Sequence, residues 1–528
     1  MPDSEILKQS SIFNHVIGPV MHGPSSSHTA GAFHIGAICR SLIGGNPTKA
    51  QVSFDTNGSY GKTYHEQGAD RSFITGLMGW KITDDRFYDA MSLAASAGVD
   101  ISFDVKELEN PNHPNTVEIE LLSTDGNQLS LRANSIGGGA VEFISLNDYP
   151  ININGYSYEI LVEIENSYVN HIVKLLTDDN KSLSEINKQE INGLSLLHVR
   201  RNAPLPEEAK LKLKSLPGFK NLWIADPVFF IQVSEPIFYN TREMIKLAHK
   251  QKISLGELAL EYESSLLGLS KKQVMDEMIY RMDIMCSSVD TGLTQPPKMQ
   301  LINPTAQKIF NTDSEGKLPT GGLHTRAAIR AMAVMHVNGG MGVVCAAPTG
   351  GAAGTIPGVI STLLEEQKLS KEKCVLALLA AGAIGLIVSN RATFAAEVAG
   401  CQVEIGAAGA MAAAAVVDAF GGSVKQASDA AAISFQNTMG SVCDLVQGMV
   451  EIPCHTRNAL AASSAFVCAD LIMGGYENPI DLDETIDAVY SVGKMLPAEL
   501  RCTALGGLAV TPSALAMKPS KFQNHKKT

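Results

Sequence analysis

The chain after about Ala346 is rich in alanine and glycine, as in AAGAMAAAAVVDAFGG. Helices with such small side chains can approach one another closely, so this composition favours a compact group of helices. Methionine, valine, isoleucine and phenylalanine recur through the stretch, which argues against a low-complexity segment. We therefore predict an all-α domain over residues 234–520, with its helices surrounding a site.

The full length of 528 residues exceeds what one hydrophobic core of ordinary size holds, so we expect several domains. Residues 1–152 mix β-rich runs with glycine-containing turns. Within them, TVEIELLS alternates like a half-buried strand, and the Asp-Gly-Asn that follows is a hairpin signal. The run GAFHIGAICRSLIGG has helical spacing. We predict an α+β domain here.

Residues 156–228 form a separate predicted module. The runs YEILVEIE, SYVNHIVKLLTD, LSLLHVRR, EEAKLKLKSL and NLWIAD alternate between strand and helix patterns, which is typical of a ferredoxin-like βαββαβ domain. The stretch EEAKLKLKSLPGFKNLWIAD resembles the second half of an ACT domain, a fold that senses amino acids. The first loop reads Glu165-Asn166-Ser167-Tyr168 and lacks the glycine after proline of such domains, so a purely structural spacer is the alternative. Residues 521–528 are expected to be a disordered tail.

Charge and hydropathy exclude several classes of function. The net charge of −12 argues against a nucleic-acid partner, which needs a basic face. The most apolar run, from Val375 to Val388, is shorter than the ~20 residues of a spanning helix, so we predict a buried helix and no membrane partner. The N-terminus lacks the pattern of a secretory signal, and the scattered cysteines do not form a small disulfide framework. We expect a cytoplasmic protein with free thiols.

Three cysteines of the C-terminal region, Cys401, Cys443 and Cys454, have polar or turn-forming neighbours. Such neighbours suit thiolates gathered at helix ends. No two of them form a CxxC pair, so neither a zinc ribbon nor a ferredoxin-type run is indicated. A buried free cysteine also behaves as a small hydrophobic residue, so on these residues alone a packing role stays open.

Ordered sequence motifs decide between these interpretations. The C-terminal region contains PTGGAAGTIPGVI, AGAIG, GCQVEIG, CDLVQGMVEIPC followed by RNA, and LGGLAVTP; the N-terminal region contains IGP, GPSSSHTAG, GSYGKT, HPNT and GGG. On these motifs the chain resembles the bacterial iron–sulfur L-serine dehydratases over nearly its whole length. The resemblance implies that Cys401, Cys443 and Cys454 bind a [4Fe–4S] cluster in which one iron lacks a cysteine from this set.

The same resemblance implies a reaction. An iron with an open position binds the hydroxyl of serine as a Lewis acid, a base takes the α-proton, and the resulting aminoacrylate hydrolyses through an imine to pyruvate and ammonia. The enzyme would be a lyase acting on a small amino acid, and no pyridoxal phosphate is implied.

Further site residues follow from the same motifs. The candidates for catalysis are Ser25, Ser26, Ser27, His28, Thr29, His65, His113 and Asn115. The candidates for substrate binding are Pro348, Thr349, Gly350, Gly351, Arg457 and Asn458. Structural alternatives stay open: residues 25–29 can simply cap a helix, and residues 348–351 can form an ordinary turn. Arg457 and Asn458 can likewise orient the ligands or cap a helix.

The chain departs from the family pattern at several positions. Gln67 stands where a histidine is expected, and His65 lies two residues earlier. Cys345 and Cys502 are additional thiols near the expected site, and each is either a fourth ligand or a packing substitution. The Gln67 change keeps a second hypothesis open, the same chemistry on threonine or cysteine. A non-catalytic amino-acid sensor is a third. We also expect a homodimer, since ACT-like modules often pair.

Overall fold

The computed structural model describes residues 9–177 and 183–520. Within this range the chain forms two compact units, which we call the helical unit (residues 9–26 and 234–520) and the mixed unit (residues 27–233). The structure is therefore a multidomain α/β protein with a largely helical C-terminal region, as the sequence predicts. The finer domain boundaries stay predictions.

The elements follow in chain order. The strands are β1 (Val20–His22), β2 (Lys49–Asp55), β3 (Asp100–Lys106), β4 (Thr116–Leu122), β5 (Gln128–Gly137), β6 (Ala140–Leu146), β7 (Tyr149–Ile153), β8 (Tyr158–Glu165), β9 (Leu183–Ile191), β10 (Leu194–Arg201), β11 (Phe219–Ala225) and β12 (Val343–Cys345). The α-helices are α1 (Ala30–Ile43), α2 (Ser59–Thr63), α3 (Ala69–Leu77), α4 (Ala90–Ser96), α5 (Val169–Thr177), α6 (Glu207–Lys214), α7 (Thr241–Gln251), α8 (Leu255–Leu267), α9 (Lys271–Thr294), α10 (Ala306–Ser314), α11 (Leu323–Gly339), α12 (Thr355–Glu365), α13 (Lys371–Arg391), α14 (Ala396–Ala399), α15 (Ile405–Ala419), α16 (Val424–Thr438), α17 (Cys454–Met473), α18 (Leu482–Met495) and α19 (Pro512–Ala516). Shorter helical turns are a π-turn at Ile12–Val16 and 3-10 turns at Asp85–Asp89, Asn166–Tyr168, Gly350–Ala352, Cys401–Val403, Val446–Gly448, Ala498–Leu500 and Gly507–Val510.

The mixed unit contains a six-stranded sheet in the order β3-β2-β4-β5-β6-β7. Only β2 and β3 run parallel; the other neighbours are antiparallel. The predicted strand TVEIELLS is β4, and its pairing with β5 confirms the hairpin. Helices α1 and α3 pack against each other at glycines. A Cβ atom at Gly76 would lie 2.1 Å from the carbonyl oxygen of Phe33, so there is no room for a side chain at this position. Small residues thus allow these two helices to pack closely.

A four-stranded antiparallel sheet completes the mixed unit, with the order β11-β8-β10-β9 and helices α5 and α6 between its strands in the chain. The strand that the sequence did not locate is β9. One face packs with α5 and α6 around Ile160, Val162 and Leu213. Leu161 and Trp223 belong to the core shared with the six-stranded sheet. Both faces of β8 are therefore buried, which explains the three consecutive apolar residues Ile160, Leu161 and Val162 in this strand.

The helical unit is built around α15, whose residues are all buried, and α13, which is buried over most of its length. The predicted helix from Val375 to Val388 is the middle of α13 and is buried, as expected. By length and composition, residues 371–391 and 401–419 could each cross a membrane, but 78% and 94% of their most apolar windows are buried inside the protein. Such burial is typical of core helices in soluble proteins.

Residues 9–26 pack with the helical unit through a buried carboxylate. Glu263 of α8 accepts backbone N–H groups of Ile12 and Phe13, both at 2.9 Å, and the hydroxyl of Ser11. Strand β1 then pairs antiparallel with β12. These bonds explain why the N-terminal segment belongs to the helical unit, although the sequence assigned it to the α+β domain.

Serine side chains define where several long helices begin. Ser254, Ser270 and Ser423 each form a capping box with a glutamate or glutamine three residues later, at the starts of α8, α9 and α16. Each such cap satisfies backbone N–H groups that have no partner within the helix, and is worth about 1 kcal/mol.

Candidate active site

The three cysteines that the sequence singles out lie at turns and helix starts. Cys401 opens a 3-10 turn immediately before α15, and Cys454 is the first residue of α17. Cys443 lies in the irregular segment that follows α16. Each is at most 2% exposed. These positions let thiols from distant segments meet without interrupting a helix.

The structure brings these thiols into one buried cluster. The sulfur atoms of Cys401 and Cys443 and a carboxylate oxygen of Glu404 all lie within 4.8 Å of one another. Cys454 belongs to the same group of buried side chains, and Cys502 packs against it. We call Cys401, Cys443, Cys454 and Cys502 the thiol cluster.

The chemistry of the thiol cluster fits a metal–sulfur group. The neighbouring thiols of Cys401 and Cys502, together with burial, raise the pKa of Cys443 well above its ordinary value. Burial and then the charge of Cys401 do the same to the pKa of Cys454. Thiolates gathered in this way need cations to neutralise them, and metal binding releases their protons. Sulfur-rich sites of this kind suit iron–sulfur clusters or zinc.

Arg457, on the first turn of α17, places a positive charge beside the cluster. Its guanidinium donates to the sulfur of Cys401 at 3.6 Å and to the carbonyl oxygen of Val442 at 2.8 Å. It also forms an ion pair with Asp444 at 2.9 Å. Asp444 in turn accepts the backbone N–H of Leu508 at 2.8 Å. A direct contact of Arg457 with the substrate stays a prediction.

Asn458 joins the cysteine-bearing helix to the PTGG loop. Its side-chain N–H groups donate to the carbonyl oxygens of Gly351 and Cys454, at 2.8 and 2.9 Å. Its side-chain oxygen accepts the backbone N–H groups of Gly354 and Thr355 at the start of α12. The side chain is fully buried, and these bonds use its donors and its acceptor. Asn458 therefore holds two segments of the site in register.

Glu404 places a carboxylate beside the thiols of Cys401 and Cys443, and the PTGG loop lies against it. Thr349 donates its hydroxyl to Glu404. A side chain at Gly351 would come within 2.6 Å of a Glu404 carboxylate oxygen, so only glycine fits this close approach. Burial raises the pKa of Glu404 to about 7, and the charge of Glu397 adds to the effect. Glu404 can therefore hold or release a proton near neutral pH.

The predicted residues Ser25 and Ser26 lie in the helical unit with the same loop. A side chain at Gly350 would come within 2.9 Å of the Pro24 carbonyl oxygen and 3.0 Å of the Ser26 backbone nitrogen. Asn338 of α11 donates to the Pro24 carbonyl oxygen at 3.1 Å. The segment before Ser27 is thus fixed against the PTGG loop, which Pro348 introduces.

In the mixed unit, the predicted residues Ser27 and His28 are buried within a network of hydroxyl groups. The carbonyl oxygen of Ser27 accepts the hydroxyls of Tyr60 and Ser135, both at 2.8 Å. The ring of His28 bonds to the hydroxyl of Thr63 at 3.2 Å. Burial lowers the pKa of His28 to about 4, so its ring is neutral at physiological pH.

Thr29 occupies the N-cap position of α1, but its side chain makes no capping hydrogen bond. Simple helix capping by residues 25–29 was the structural alternative for this segment. The hydrogen bonds of Ser27 and His28 instead link the segment to α2 and β5.

The HPNT turn joins the same network. The backbone N–H of Ser59 donates to the carbonyl oxygen of Pro114 at 2.7 Å. Asn115 donates to the Ser135 carbonyl oxygen at 3.4 Å and also donates its own backbone N–H to the His113 ring at 3.1 Å. Among the described residues, the side-chain oxygen of Asn115 is buried and has no hydrogen-bond partner. We call Ser27, His28, Ser59, Asn115 and Ser135 the polar cluster.

His65 differs from the other predicted residues of the mixed unit. Its ring bonds to Asp70 at 2.7 Å, and its side chain is 63% exposed. The hydrogen bond to Asp70 raises the pKa of His65. Gln67, which stands where the family histidine was expected, is buried. The catalytic role of His65 stays a prediction.

Sequence reasoning missed two features of the site. Glu404 lies inside the motif GCQVEIG, and the available signal was an acidic residue directly before α15, which is apolar from Ile405 to Val417. His336 and His455 form a buried pair with their Nδ1 atoms 3.1 Å apart. Since Nε2 of His336 accepts two backbone N–H groups, its proton must lie on Nδ1, facing His455. No local pattern pairs residues so far apart in the chain.

Known protein families match both units. Residues 249–509 match the family described as serine dehydratase alpha chain, and residues 12–144 match the family described as serine dehydratase beta chain.

The chain belongs to the serine dehydratase family. It is similar to the probable L-serine dehydratase alpha chain of Bacillus subtilis (strain 168), with 36% identity over 54% of this chain and 96% of the relative. The L-serine dehydratase alpha chain of Peptoniphilus asaccharolyticus is 34% identical over 51% of this chain and 92% of its own length. The probable beta chain of B. subtilis is 35% identical over 40% of this chain and 96% of its own length. One chain here thus contains regions similar to both of those separate chains.

Proposed function

We propose that this member of the serine dehydratase family is a lyase that converts L-serine to pyruvate and ammonia, with a [4Fe–4S] cluster as its cofactor and without pyridoxal phosphate. The observation that carries the proposal is the meeting of cysteines from three segments in one buried site. The choice of L-serine as the substrate rests on the similar relatives, which are named L-serine dehydratase.

Cys401, Cys443 and Cys454 would hold the cluster. When bound, an iron without a cysteine ligand supplies a Lewis acid for the departing hydroxyl. Arg457 holds its charge beside the Cys401 sulfur, and Asp444 fixes the guanidinium in that position. The burial of all three thiols excludes bulk water from their surroundings, which strengthens electrostatic interactions there.

We assign proton transfer to a carboxylate oxygen of Glu404. It is the carboxylate that lies with the thiols, and the hydroxyl of Thr349 orients it. Gly351 leaves the space that this carboxylate occupies, and Asn458 holds the backbone of Gly351 in place. Thr349, Gly351 and Asn458 therefore act on the reaction by positioning Glu404.

The polar cluster is our candidate for recognition of the amino and carboxylate groups of the substrate. Hydrogen bonds hold neutral His28 and the hydroxyl groups around it in place. Binding of a ligand therefore requires little rearrangement of these groups. The side-chain oxygen of Asn115 can accept an N–H from a ligand. The burial of Asn115 and the available acceptor on its side chain support this role.

The proposal is tested by purifying the protein without oxygen and measuring iron, sulfide and pyruvate formation from L-serine. We expect iron and sulfide in equal amounts and pyruvate formation, both lost in Cys443→Ala. The matched control is Cys374→Ala, which removes a buried thiol of α13 outside the thiol cluster. Iron-free protein that still forms pyruvate would contradict the proposed cofactor, and iron-loaded protein inactive on serine would contradict the proposed substrate.

The same assay separates the alternatives. Turnover of L-threonine or L-cysteine in place of L-serine would support the second hypothesis, which rests on Gln67. Binding of an amino acid without turnover by iron-free protein would support the sensor. Because a sensor has no need of clustered thiols, the thiol cluster favours the enzyme.

We further propose that residues 156–228 form an ACT-like module that binds an amino acid. The βαββαβ order and the strand order β11-β8-β10-β9 support it. Titration calorimetry of the full chain with L-serine, compared between the wild type and Ser167→Trp in the loop after β8, tests the module. We expect the wild type to show a second, non-catalytic binding event that the substitution removes. Identical titrations of the two proteins would support the structural spacer.

We also propose a cytoplasmic homodimer. Leu460, Val467 and Leu471 lie on one side of α17 and are 69%, 45% and 51% exposed. An exposed apolar stripe of this kind is typical of a protein interface. Light scattering after size-exclusion chromatography tests the assembly: we expect a dimer for the wild type and a shift to monomer for Leu471→Arg. A wild-type monomer would contradict the proposal.

A further inference from the structure

Strand β11 forms one edge of the four-stranded sheet of the mixed unit, next to β8. In an antiparallel pair, alternate residues direct their N–H and C=O groups toward the neighbouring strand, and the residues between them direct these groups away from it. Within residues 9–177 and 183–520, no hydrogen bond joins the outward-facing backbone groups of residues 221–225 to another part of the chain. Such an edge can pair with another extended segment.

The two edges of this sheet differ in their protection against such pairing. The opposite edge, β9, contains the charged residues Lys188 and Glu190, which form an ion pair. Charged side chains discourage the pairing of exposed edges. By contrast, residues 221–225 of β11 read NLWIA and contain no charge. The register shift between Phe219 and Asn221 disturbs only the start of β11, so the rest of this edge is open to pairing.

A groove of about 520 Å³ follows this edge within the mixed unit. Helix α6 packs on one face of the sheet and α1 on the other, and residues of both helices line the groove. Asn127 and Asn147, in turns of the six-stranded sheet, line it beside α1, and residues 221–224 of β11 lie along it. The volume is in the range of known ligand sites, about 300–1,000 Å³. The groove therefore gives a ligand access to the edge of β11.

The shape of the groove favours a single extended peptide. Because α6 and α1 both line it, a second folded sheet with its own helices would collide with them. A free amino acid is too short to follow the edge over several residues. An extended peptide can bond to the backbone of β11 along its length, and its alternate side chains then point toward α6 and toward α1.

The polar groups around the groove favour a carboxylate on that peptide. On α6, the ammonium of Lys210 pairs with Glu207 at 2.7 Å. Lys214 also lines the groove, and in the described part of the chain its ammonium has no hydrogen bond or ion pair. The side-chain oxygen of Asn147 accepts the backbone N–H of Ser130 at 3.0 Å, so its side-chain N–H groups can donate to a ligand. Lysine ammonium groups and amide N–H groups both bind carboxylates.

We propose that this groove binds an extended peptide segment of a partner protein, which adds a strand to the edge of β11 and places a carboxylate beside Lys214. Hydrogen bonds to the backbone supply affinity, and the contacts of alternate side chains supply specificity. None of the residues that line the groove belongs to the thiol cluster or to the polar cluster. Peptide binding here is therefore independent of the proposed function.

The test uses a phage library that displays short random peptides, selected on the immobilised full chain. A selected peptide is then synthesised with a fluorescent label, and its binding is measured by fluorescence anisotropy. We expect Lys214→Glu to weaken binding about tenfold or more, because it replaces an attractive charge with a repulsive one. The matched control is Lys212→Glu, which makes the same charge change on α6 at a residue that pairs with Glu208 and does not line the groove. Both lysines are exposed, so neither substitution disturbs the core.

Hydrogen–deuterium exchange of the wild-type chain reports whether the peptide pairs with β11. We expect the peptide to slow the exchange of backbone N–H groups in residues 221–225. A library that yields no binding peptide, or a bound peptide that leaves this exchange unchanged, would refute the proposal. Slower exchange together with equal binding by Lys214→Glu would refute the carboxylate contact. If the exchange in residues 221–225 of the peptide-free protein becomes faster on dilution, a second copy of the chain occupies the groove, and the proposal is wrong.

Discussion

The thiol cluster of the helical unit and the polar cluster of the mixed unit are both buried, but they accommodate charge in opposite ways. In the thiol cluster, neighbouring thiols and burial raise the pKa of Cys443, so the site acquires its ionised form only when cations neutralise it. In the polar cluster, burial lowers the pKa of His28 to about 4 and keeps it neutral. One site is suited to metal, and the other to hydrogen bonding with a polar ligand.

Removing a cysteine ligand should break the thiol cluster completely. We expect Cys454→Ala to lose its iron and to reduce pyruvate formation to background, because the remaining thiols cannot hold the cluster. Cys468→Ala is the matched control, since it removes another buried thiol from the same helix. Iron analysis and the pyruvate assay measure both. Full iron content in Cys454→Ala would count against the ligand assignment.

Removing the carboxylate beside the thiols should spare the metal and slow the reaction. We expect Glu404→Gln to keep its iron and to lower kcat by about 10²–10⁴-fold, the usual contribution of a group that transfers a proton. Glu372→Gln, at an exposed position in the first turn of α13, is the control. Steady-state kinetics without oxygen provide the measurement, and an unchanged kcat would exclude Glu404 from proton transfer.

Lowering the pH should reduce the stability of the mixed unit, because its buried neutral histidines resist protonation in the folded state. Burial lowers the pKa of His34 to about 4, below its ordinary 6.5, while its ring bonds to the Gly139 carbonyl oxygen. A group with a lowered pKa of this kind stabilises the fold fully above its ordinary value, and this contribution is lost as the pH falls toward 4. Between pH 7 and pH 5 the loss is about 2 kcal/mol.

The variant His34→Gln should therefore lose less stability than the wild type over the same pH interval. Both tryptophans of the chain, Trp80 and Trp223, lie in the mixed unit, so urea unfolding followed by tryptophan fluorescence reports on that unit. Equal pH dependence in the two proteins would show that His34 is not the responsible group.

A substitution in the polar cluster should weaken substrate binding and leave the metal content unchanged. We expect Asn115→Ala to raise KM about tenfold, the value of one lost hydrogen bond to a polar ligand, with unchanged iron content. Asn112→Ala, at an exposed position in the same turn, is the control. If Asn115→Ala lost iron and kept its KM, the division of roles between the two clusters would be wrong.

Local patterns were sufficient to predict much of the fold. The alternation in TVEIELLS predicted β4, and the apolar run from Val375 to Val388 predicted the buried part of α13. Both patterns are informative because a strand buried on one face has apolar residues at alternate positions, and a helix buried on all faces has apolar residues throughout. Strand β9 was not located, because LSEINKQEI is largely polar and its pairing with β10 is what stabilises it.

The sequence by itself determined the kinds of chemistry present: free thiols with polar neighbours, a serine- and histidine-rich segment and the family motifs. Tertiary structure decided which of these groups meet. It placed Cys502, and not Cys345, with the thiols, brought Glu404 to them, and left His65 exposed. The physical reason is that such contacts depend on how helices and turns pack, and no periodic pattern records a neighbour that lies far away along the chain.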